Sequence, residues 1–313
     1  MSYVFKKSGD SFVLEQKTEM HDSLPSNVYK ISNVPQVGIV FQPITLITDD
    51  LIKVDNSITD ELVGFINNFK SEETKARYKK VKIIHKTGIL LYGIPGTGKS
   101  ASINMIIKEL IKDNAIIFFD AEPGIISAVL PAVREQNPEK LICVIYEEFD
   151  EWLQQDQATI NSFLDGQLSV NNMIFLATTN YIERIPGRIK NRPSRFQIVK
   201  EVGVPSEEFR RAWFTQKLTD IGEEARIAEF VDQSNEMVTD QMKDLIVSNI
   251  ALQIPLPEVV KKLQDMSDNS IGLDDYVGHE QLTQLKLSEL RKIMTLPKGL
   301  QIKSKKFPWE EPK

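Results

Sequence analysis

Gly88–Ser100 reads GILLYGIPGTGKS, and the stretch after it, Ser100–Ile111, has the periodicity of a helix. The run Gly88–Tyr92 is short and carries no charge, which suits a strand buried on both faces. The turn that follows, Gly93-Ile94-Pro95-Gly96-Thr97-Gly98-Lys99-Ser100, fits the pattern G-x-x-x-x-G-K-[ST]. That pattern carries meaning only between a strand and a helix, and it has that setting here. The glycines let the backbone curl so that its N–H groups face a phosphate, at a helix N-terminus that already favours anions. Gly93, Ile94, Pro95, Gly96, Thr97, Gly98, Lys99, Ser100 and Ala101 are therefore the expected nucleoside-triphosphate contacts. Lys99 would reach the β- and γ-phosphates, and Ser100 would ligate Mg²⁺.

Outward from this loop, Ala115–Phe119 (AIIFF), Leu141–Tyr146 (LICVIY) and Met173–Ala177 (MIFLA) are further buried-strand candidates with helical segments between them. Strands spaced by helices predict an α/β fold: a P-loop NTPase parallel sheet sandwiched by helices. The strand LICVIY runs directly into Glu147-Glu148-Phe149-Asp150. A carboxylate at the C-terminal edge of a neighbouring strand belongs beside the metal, which points to Glu147, and the next one, Glu148, can act as general base. After Pro205 strand-like runs stop. Glu207–Leu218, Glu223–Val231, Thr239–Leu252 and Pro257–Met266 read as a small α-helical lid, and His279–Met294 as a last helix. The expected organisation is a strand-rich, separate N-terminal element (1–55), a large α/β domain (56–203), the lid (204–270) and a C-terminal helix and tail (271–313). In the first of these, VYKI, VGIVF and ITLI are the strand candidates. Asp60–Lys70 opens the large domain as a short helix.

The chain has 313 residues, 38 basic against 44 acidic, and a formal charge of −6, which argues against a histone-like positive coat. It is 41% hydrophobic and 26% charged, as a folded globular chain is. No apolar run approaches the ~18 residues of a membrane span, and MSYVFKKSGDSF has no secretory apolar region, so a cytoplasmic setting without a membrane is expected. The lone Cys143 allows no internal disulfide and reads as packing in a strand. His279-Glu280-Gln281-Leu282-Thr283 lacks the second histidine of a zinc protease, and Phe307–Pro312 is a candidate docking peptide. The basic stretch Lys75, Arg77, Lys79, Lys80, Lys82 and Lys86 reads as a solvated face or, in the sharper reading, a nucleic-acid contact.

Taken together, GILLYGIPGTGKS, CVIYEEFD, the strand end Ala177-Thr178-Thr179-Asn180 and Arg192-Pro193-Ser194-Arg195-Phe196 resemble the AAA branch of the AAA+ ATPases over roughly residues 55–270. TTNYIERI is similar to AAA proteins that assist respiratory-complex assembly in mitochondria, and NRPSRF to stand-alone AAA ATPases of bacteria and their viruses. The resemblance implies ATP and Mg²⁺ as cofactors. It also implies Glu148 polarising the attacking water, Asn180 as the sensor that fixes that water, and Arg192 and Arg195 as fingers reaching a neighbouring subunit's nucleotide. Arg188 is a third, less well placed candidate. Fingers supplied in trans require a homo-oligomer, and the family suggests a hexameric ring.

Four departures temper this. Glu147 stands where the family has aspartate, ~1.5 Å longer by one C–C bond, and Ser100 replaces threonine. Thr239-Asp240-Gln241-Met242 stands where many members have Gly-Ala-Asp, with no sensor arginine. Between Asp120 and Lys140 there is no aromatic pore loop; Ile125 and Ile126, or Trp152 further on, are the substitutes. Three functions stay open: a remodeller of a protein or protein complex, a DNA-linked ATPase such as a helicase loader, and a slowly hydrolysing nucleotide-dependent scaffold.

Overall fold

Pairing between distant segments decides where the strands go. The computed structural model describes residues 3–8, 11–16, 21–45, 52, 57–165 and 170–270. The first part of the chain forms β1 (Tyr3–Ser8), β2 (Ser11–Gln16), β3 (Asn27–Val34), β4 (Gly38–Pro43), α1 (Ile58–Lys70) and α2 (Glu72–Val81). Then follow β5 (Lys86–Tyr92), α3 (Lys99–Lys112), β6 (Ile116–Phe119), α4 (Pro123–Gln136), β7 (Ile142–Tyr146), α5 (Phe149–Asp165), β8 (Met173–Thr179), α6 (Gly187–Lys190) and β9 (Ile198–Glu201). The rest is helical: α7 (Glu207–Thr219), α8 (Ile227–Gln233), α9 (Thr239–Ile246) and α10 (Leu256–Ser270).

Seven strands make one sheet in the order β4-β3-β6-β7-β8-β5-β9, parallel throughout except for β4. The fold is the expected α/β sheet with flanking helices and a helical region after it. Alternation along the strands sorts the core into two layers. Val144, Tyr146, Phe175 and Ala177 pack with α4 and α5 on one face. Cys143, Ile145, Ile174 and Leu176 pack with α1 and α3 on the other. α1 shows how sequence makes such a helix. The Ser57 side chain accepts the Asp60 N–H, Asp60 and Glu61 sit in the positive first turn, and Leu62, Ile66 and Phe69 bury one stripe. Trp213, Phe214, Phe230, Met242, Leu245 and Val259 form a third core among α7–α10.

Two expectations are corrected. The N-terminal strands are not all separate: β3 pairs with β6, Asn27 opposite Ile116, and with β4 extends the main sheet past the β6 edge, while β1 and β2 pair with each other in a two-stranded sheet. Of the three runs, VYKI and VGIVF overlap β3 and β4, and the end of ITLI lies outside the described residues. A strand was also overlooked: β9, IVKE, closes the far edge against β5. Its alternation is half-exposed and short, so nothing in composition marks it. The stretch expected as one helix over Thr239–Leu252 is α9 followed by a π-helical segment, Val247–Ala251. His279–Met294 and Phe307–Pro312 lie outside the described residues. Residues 1–263 form one compact unit; of a second, 264–313, only the end of α10 is described. Among the described residues no helix is long and apolar enough to cross a membrane.

Candidate nucleotide-binding and hydrolysis site

Because β6, β7, β8 and β5 are adjacent and parallel, their C-terminal ends bring Asp120, Glu147, Asn180 and Gly93 to one edge of the sheet. That edge is where ligands enter open α/β sheets. A cavity of about 1440 Å³ lies there, lined by Pro95–Ser102, Glu147, Glu148, Thr179 and Asn180, and on its other side by Ser57, Thr59, Met105, Phe209 and Trp213.

The loop after β5 has its conformation imposed by glycine. Gly93 has φ +152°, and a Cβ there would lie 2.2 Å from the Val202 carbonyl oxygen. Gly98, at φ +97°, opens α3 in the left-handed region. The Lys99 ammonium donates to the carbonyls of Gly93 (2.7 Å) and Ile94 (2.9 Å), holding the loop curled around it. Burial pulls the Lys99 pKa down, opposed by the Asp240 and Glu147 carboxylates nearby. The Ser100 side is exposed to the cavity.

Beyond β7, Glu147 is half-buried and Glu148 exposed, the latter with φ +49°. The Glu147 N–H donates to Asp120 Oδ1 at 2.9 Å, while Glu147 Oε1 is buried with no hydrogen-bond partner. An orphaned carboxylate oxygen and an exposed serine hydroxyl lining the same cavity are hard-oxygen donors of the kind that suits Mg²⁺. That ion takes one or two protein oxygens and completes its shell with phosphate and water. Among the described residues no group of three or more His, Cys, Asp or Glu could hold a metal by itself. Asp120 is pushed up to about 6, first by burial, with the Glu147 N–H bond opposing and the Glu147 carboxylate adding.

Asn180 is held from both sides. The Thr179 hydroxyl donates to Asp150 Oδ1 at 2.6 Å and accepts the Tyr181 N–H at 2.9 Å. Arg184 approaches the same Asp150 at 3.4 Å and stacks over the Tyr181 ring at 3.6 Å. The helical region touches the phosphate loop directly. The Asp240 N–H donates to the Gly96 carbonyl (3.1 Å), and the Thr239 hydroxyl to that of Thr97 (3.3 Å). Asp120, Thr179 and Thr239 have no role in the reading of the sequence, although the last two lie inside quoted motifs. Asp120 had a signal, since it ends a buried strand as Glu147 does; the other two show themselves only through contacts.

Comparison with known proteins agrees with this arrangement. Residues 89–204 match the family described as "ATPase family associated with various cellular activities (AAA)". These residues are similar to an AAA ATPase domain. The probable mitochondrial chaperone bcs1 of Schizosaccharomyces pombe is 27% identical over 176 residues, covering 52% of this chain and 37% of that protein. The ATPase family gene 2 protein of the same yeast is 24% identical over 233 residues, 67% of this chain and 27% of that protein. The vesicular-fusion protein SEC18 of Candida albicans is 28% identical over 178 residues, 46% and 22% respectively. The chain therefore spans well under half the length of each relative. These three are eukaryotic; the Lon protease of Aster yellows witches'-broom phytoplasma, a further relative, is 24% identical over 180 residues, 46% of this chain and 22% of that protein.

Within the matched region, the arginines differ in exposure. Arg192 and Arg188 are exposed, Arg188 bonding Gln157 at 2.8 Å, and neither lines the cavity. Arg195 is buried and ion-paired with Asp165 of its own chain. The substitutes for a pore loop also change character. Ile126 is buried in α4 and Ile125 packs against the core, while Trp152 lies against Tyr146 (5.2 Å) and lines the nucleotide cavity. Trp213, Phe214 and Cys143 are core, as expected. Of the basic stretch, Lys75 and Arg77 pair with Glu72 and Glu73, Lys86 bonds the Leu164 carbonyl, and Lys79, Lys80 and Lys82 are exposed.

Proposed function

We propose that this chain is an Mg²⁺-dependent ATPase that assembles into a ring, six-membered as the family suggests, and uses ATP hydrolysis to remodel a protein or protein complex. The observation that carries the reading is the single cavity into which the phosphate loop, the acidic end of β7 and Asn180 converge, with the helical region seated on the loop. Gly93–Ala101 hold the phosphates, and Lys99 shifts its ammonium from the loop carbonyls to them. Ser100 and Glu147 would hold Mg²⁺, which would supply positive charge to neutralise the phosphate oxygens. Glu148 takes the proton of the attacking water, and Asn180 orients that water. Arg192 of one copy reaches the site of the next, where a finger in trans is worth ~10³–10⁵ in rate. The likeness to proteins described as a chaperone and as a vesicular-fusion protein supports a polypeptide substrate.

The test is ATP turnover per subunit across a wide range of protein concentration. A steep rise supports sites completed between copies. Lys99→Ala should lose nucleotide binding, and Glu148→Gln should keep it while trapping ATP; wild-type turnover in Glu148→Gln would refute the water-activation role. The exposed Lys79, Lys80 and Lys82 favour a second reading, a DNA-linked ATPase. Stimulation by single-stranded DNA that weakens steeply with salt would select it. Flat turnover near background with nucleotide-dependent assembly would select the scaffold.

A further inference from the structure

Arg192 and Arg195 share one turn and are placed in opposite ways. The Arg195 side chain is 4% exposed. Its Nε and Nη2 donate to the two carboxylate oxygens of Asp165, each at 2.6 Å. Nη1 donates to Asn161 Oδ1 at 2.8 Å and to the Arg188 carbonyl at 3.2 Å. This is a two-pronged fork on a carboxylate with its remaining donors also engaged, the strongest arrangement a guanidinium makes. Withdrawing Arg195 toward another subunit would break four hydrogen bonds and leave the Asp165 carboxylate without its fork. Arg192 is 56% exposed, and its nearest approach to Asp165 is 3.9 Å.

The turn that carries both is fastened at every side. The Arg195 and Phe196 N–H groups donate to the Arg192 carbonyl at 2.9 and 3.1 Å. Phe196 is buried against Phe149 and Phe175, ring centroids 5.7 Å from each. The Arg195 carbonyl lies 1.9 Å from where a Cβ on Gly88 would sit, and the Gln197 N–H donates to the Gly88 carbonyl at 2.9 Å. Arg192 projects from this platform into solvent.

We infer that the Arg-x-x-Arg pair is divided: Arg192 is the group offered to the neighbouring copy's triphosphate, and Arg195, through Asp165, is a positioning residue that holds the turn presenting it. The inference rests on the trans arrangement proposed above and adds Asp165 to the apparatus. An unanchored turn misplaces the Arg192 guanidinium, and ~1 Å of misplacement can cost ~10²-fold in rate.

The experiment compares Arg192→Ala, Arg195→Ala, Asp165→Asn and the Arg195→Ala/Asp165→Asn double variant in the full chain. It measures turnover, ADP affinity, and turnover in mixtures with excess Lys99→Ala chain. Expected results are a loss of ~10³-fold or more for Arg192→Ala and ~10²-fold for both Arg195→Ala and Asp165→Asn. The double variant should be no worse than Arg195→Ala, and ADP affinity should be unchanged throughout. Mixed with Lys99→Ala copies, whose turn is intact, Arg195→Ala copies should regain turnover; damage confined to their own site would not be repaired. Wild-type or higher turnover in Asp165→Asn beside a low Arg195→Ala overturns the inference in favour of Arg195 acting directly. Absence of recovery in the mixture overturns it in favour of simple structural damage. Should Arg195→Ala fail to fold, Asp165→Asn carries the test, because Arg195 stays in place. Full turnover in Arg192→Ala removes the trans reading itself, and the inference with it.

Discussion

Thr179→Val is the substitution whose cost follows most directly from the structure. Thr179 is 1% exposed and Asp150 3%, so no water replaces what is lost between them. Valine keeps the shape of threonine, so packing between β7 and β5 is unchanged and no cavity opens. The change removes the donor on the Asp150 carboxylate and the acceptor of the Tyr181 N–H. A hydrogen bond to a charged group is worth ~1.5–3 kcal/mol and a neutral one ~0.5–1.5 kcal/mol, so the sum is about 2–4 kcal/mol. Arg184, at 3.4 Å, remains on Asp150 and keeps the estimate from running higher. At ~2–4 °C per kcal/mol for chains of this order, the melting temperature should fall by roughly 4–16 °C. Thr179→Ser, which keeps the hydroxyl, should recover most of it. In the same variants, loss of the clasp frees Asn180, so turnover should drop while ADP affinity holds. The assay is thermal and urea unfolding of wild type, Val and Ser variants, with ADP titration and turnover on each. A Val variant within ~0.5 kcal/mol of wild type, the scale of an ordinary surface change, would refute the claim that this bond holds the strand end.

Three further outcomes are expected. Gly88→Ala puts a methyl group against the backbone of the arginine turn, so it should destabilise the chain strongly and lower turnover together; near-native melting would show that the turn is free to move. His85 is buried, stacked 3.9 Å from Phe69, and burial lowers its pKa below the usual ~6.5. The unfolded chain therefore takes up this proton first, so stability is full above ~6.5 and falls as pH drops below it. Melting temperature between pH 7.5 and 5.5 should be steeper for wild type than for His85→Phe, and equal slopes would contradict this. Thr239→Ala removes the hydroxyl bond between the helical region and the phosphate loop. ADP release, followed by stopped flow, should quicken by up to roughly tenfold, the kinetic equivalent of one net hydrogen bond, and an unchanged rate would show that the contact does not retain nucleotide.

By itself the sequence determined the phosphate loop, the acids at the end of LICVIY, Asn180 at the end of its strand and the α/β character of the sheet. The reason is that each of these is local. An apolar run, a glycine spacing and a strand-ending polar residue are all written within a dozen neighbours. Only the tertiary structure decided that β3 and β4 continue the main sheet, since Asn27 meets Ile116 across a separation no periodicity records. It also decided β9, a four-residue edge strand that pairs on one side and so needs no continuous apolar run. The two arginines make the same point within the site. Arg192 and Arg195 are chemically identical and three positions apart. What distinguishes them is Asp165 at the end of α5, which binds one, buried, and leaves the other exposed. Residue type fixes what a guanidinium can do; which one is free to do it depends on contacts that form only when the chain has folded.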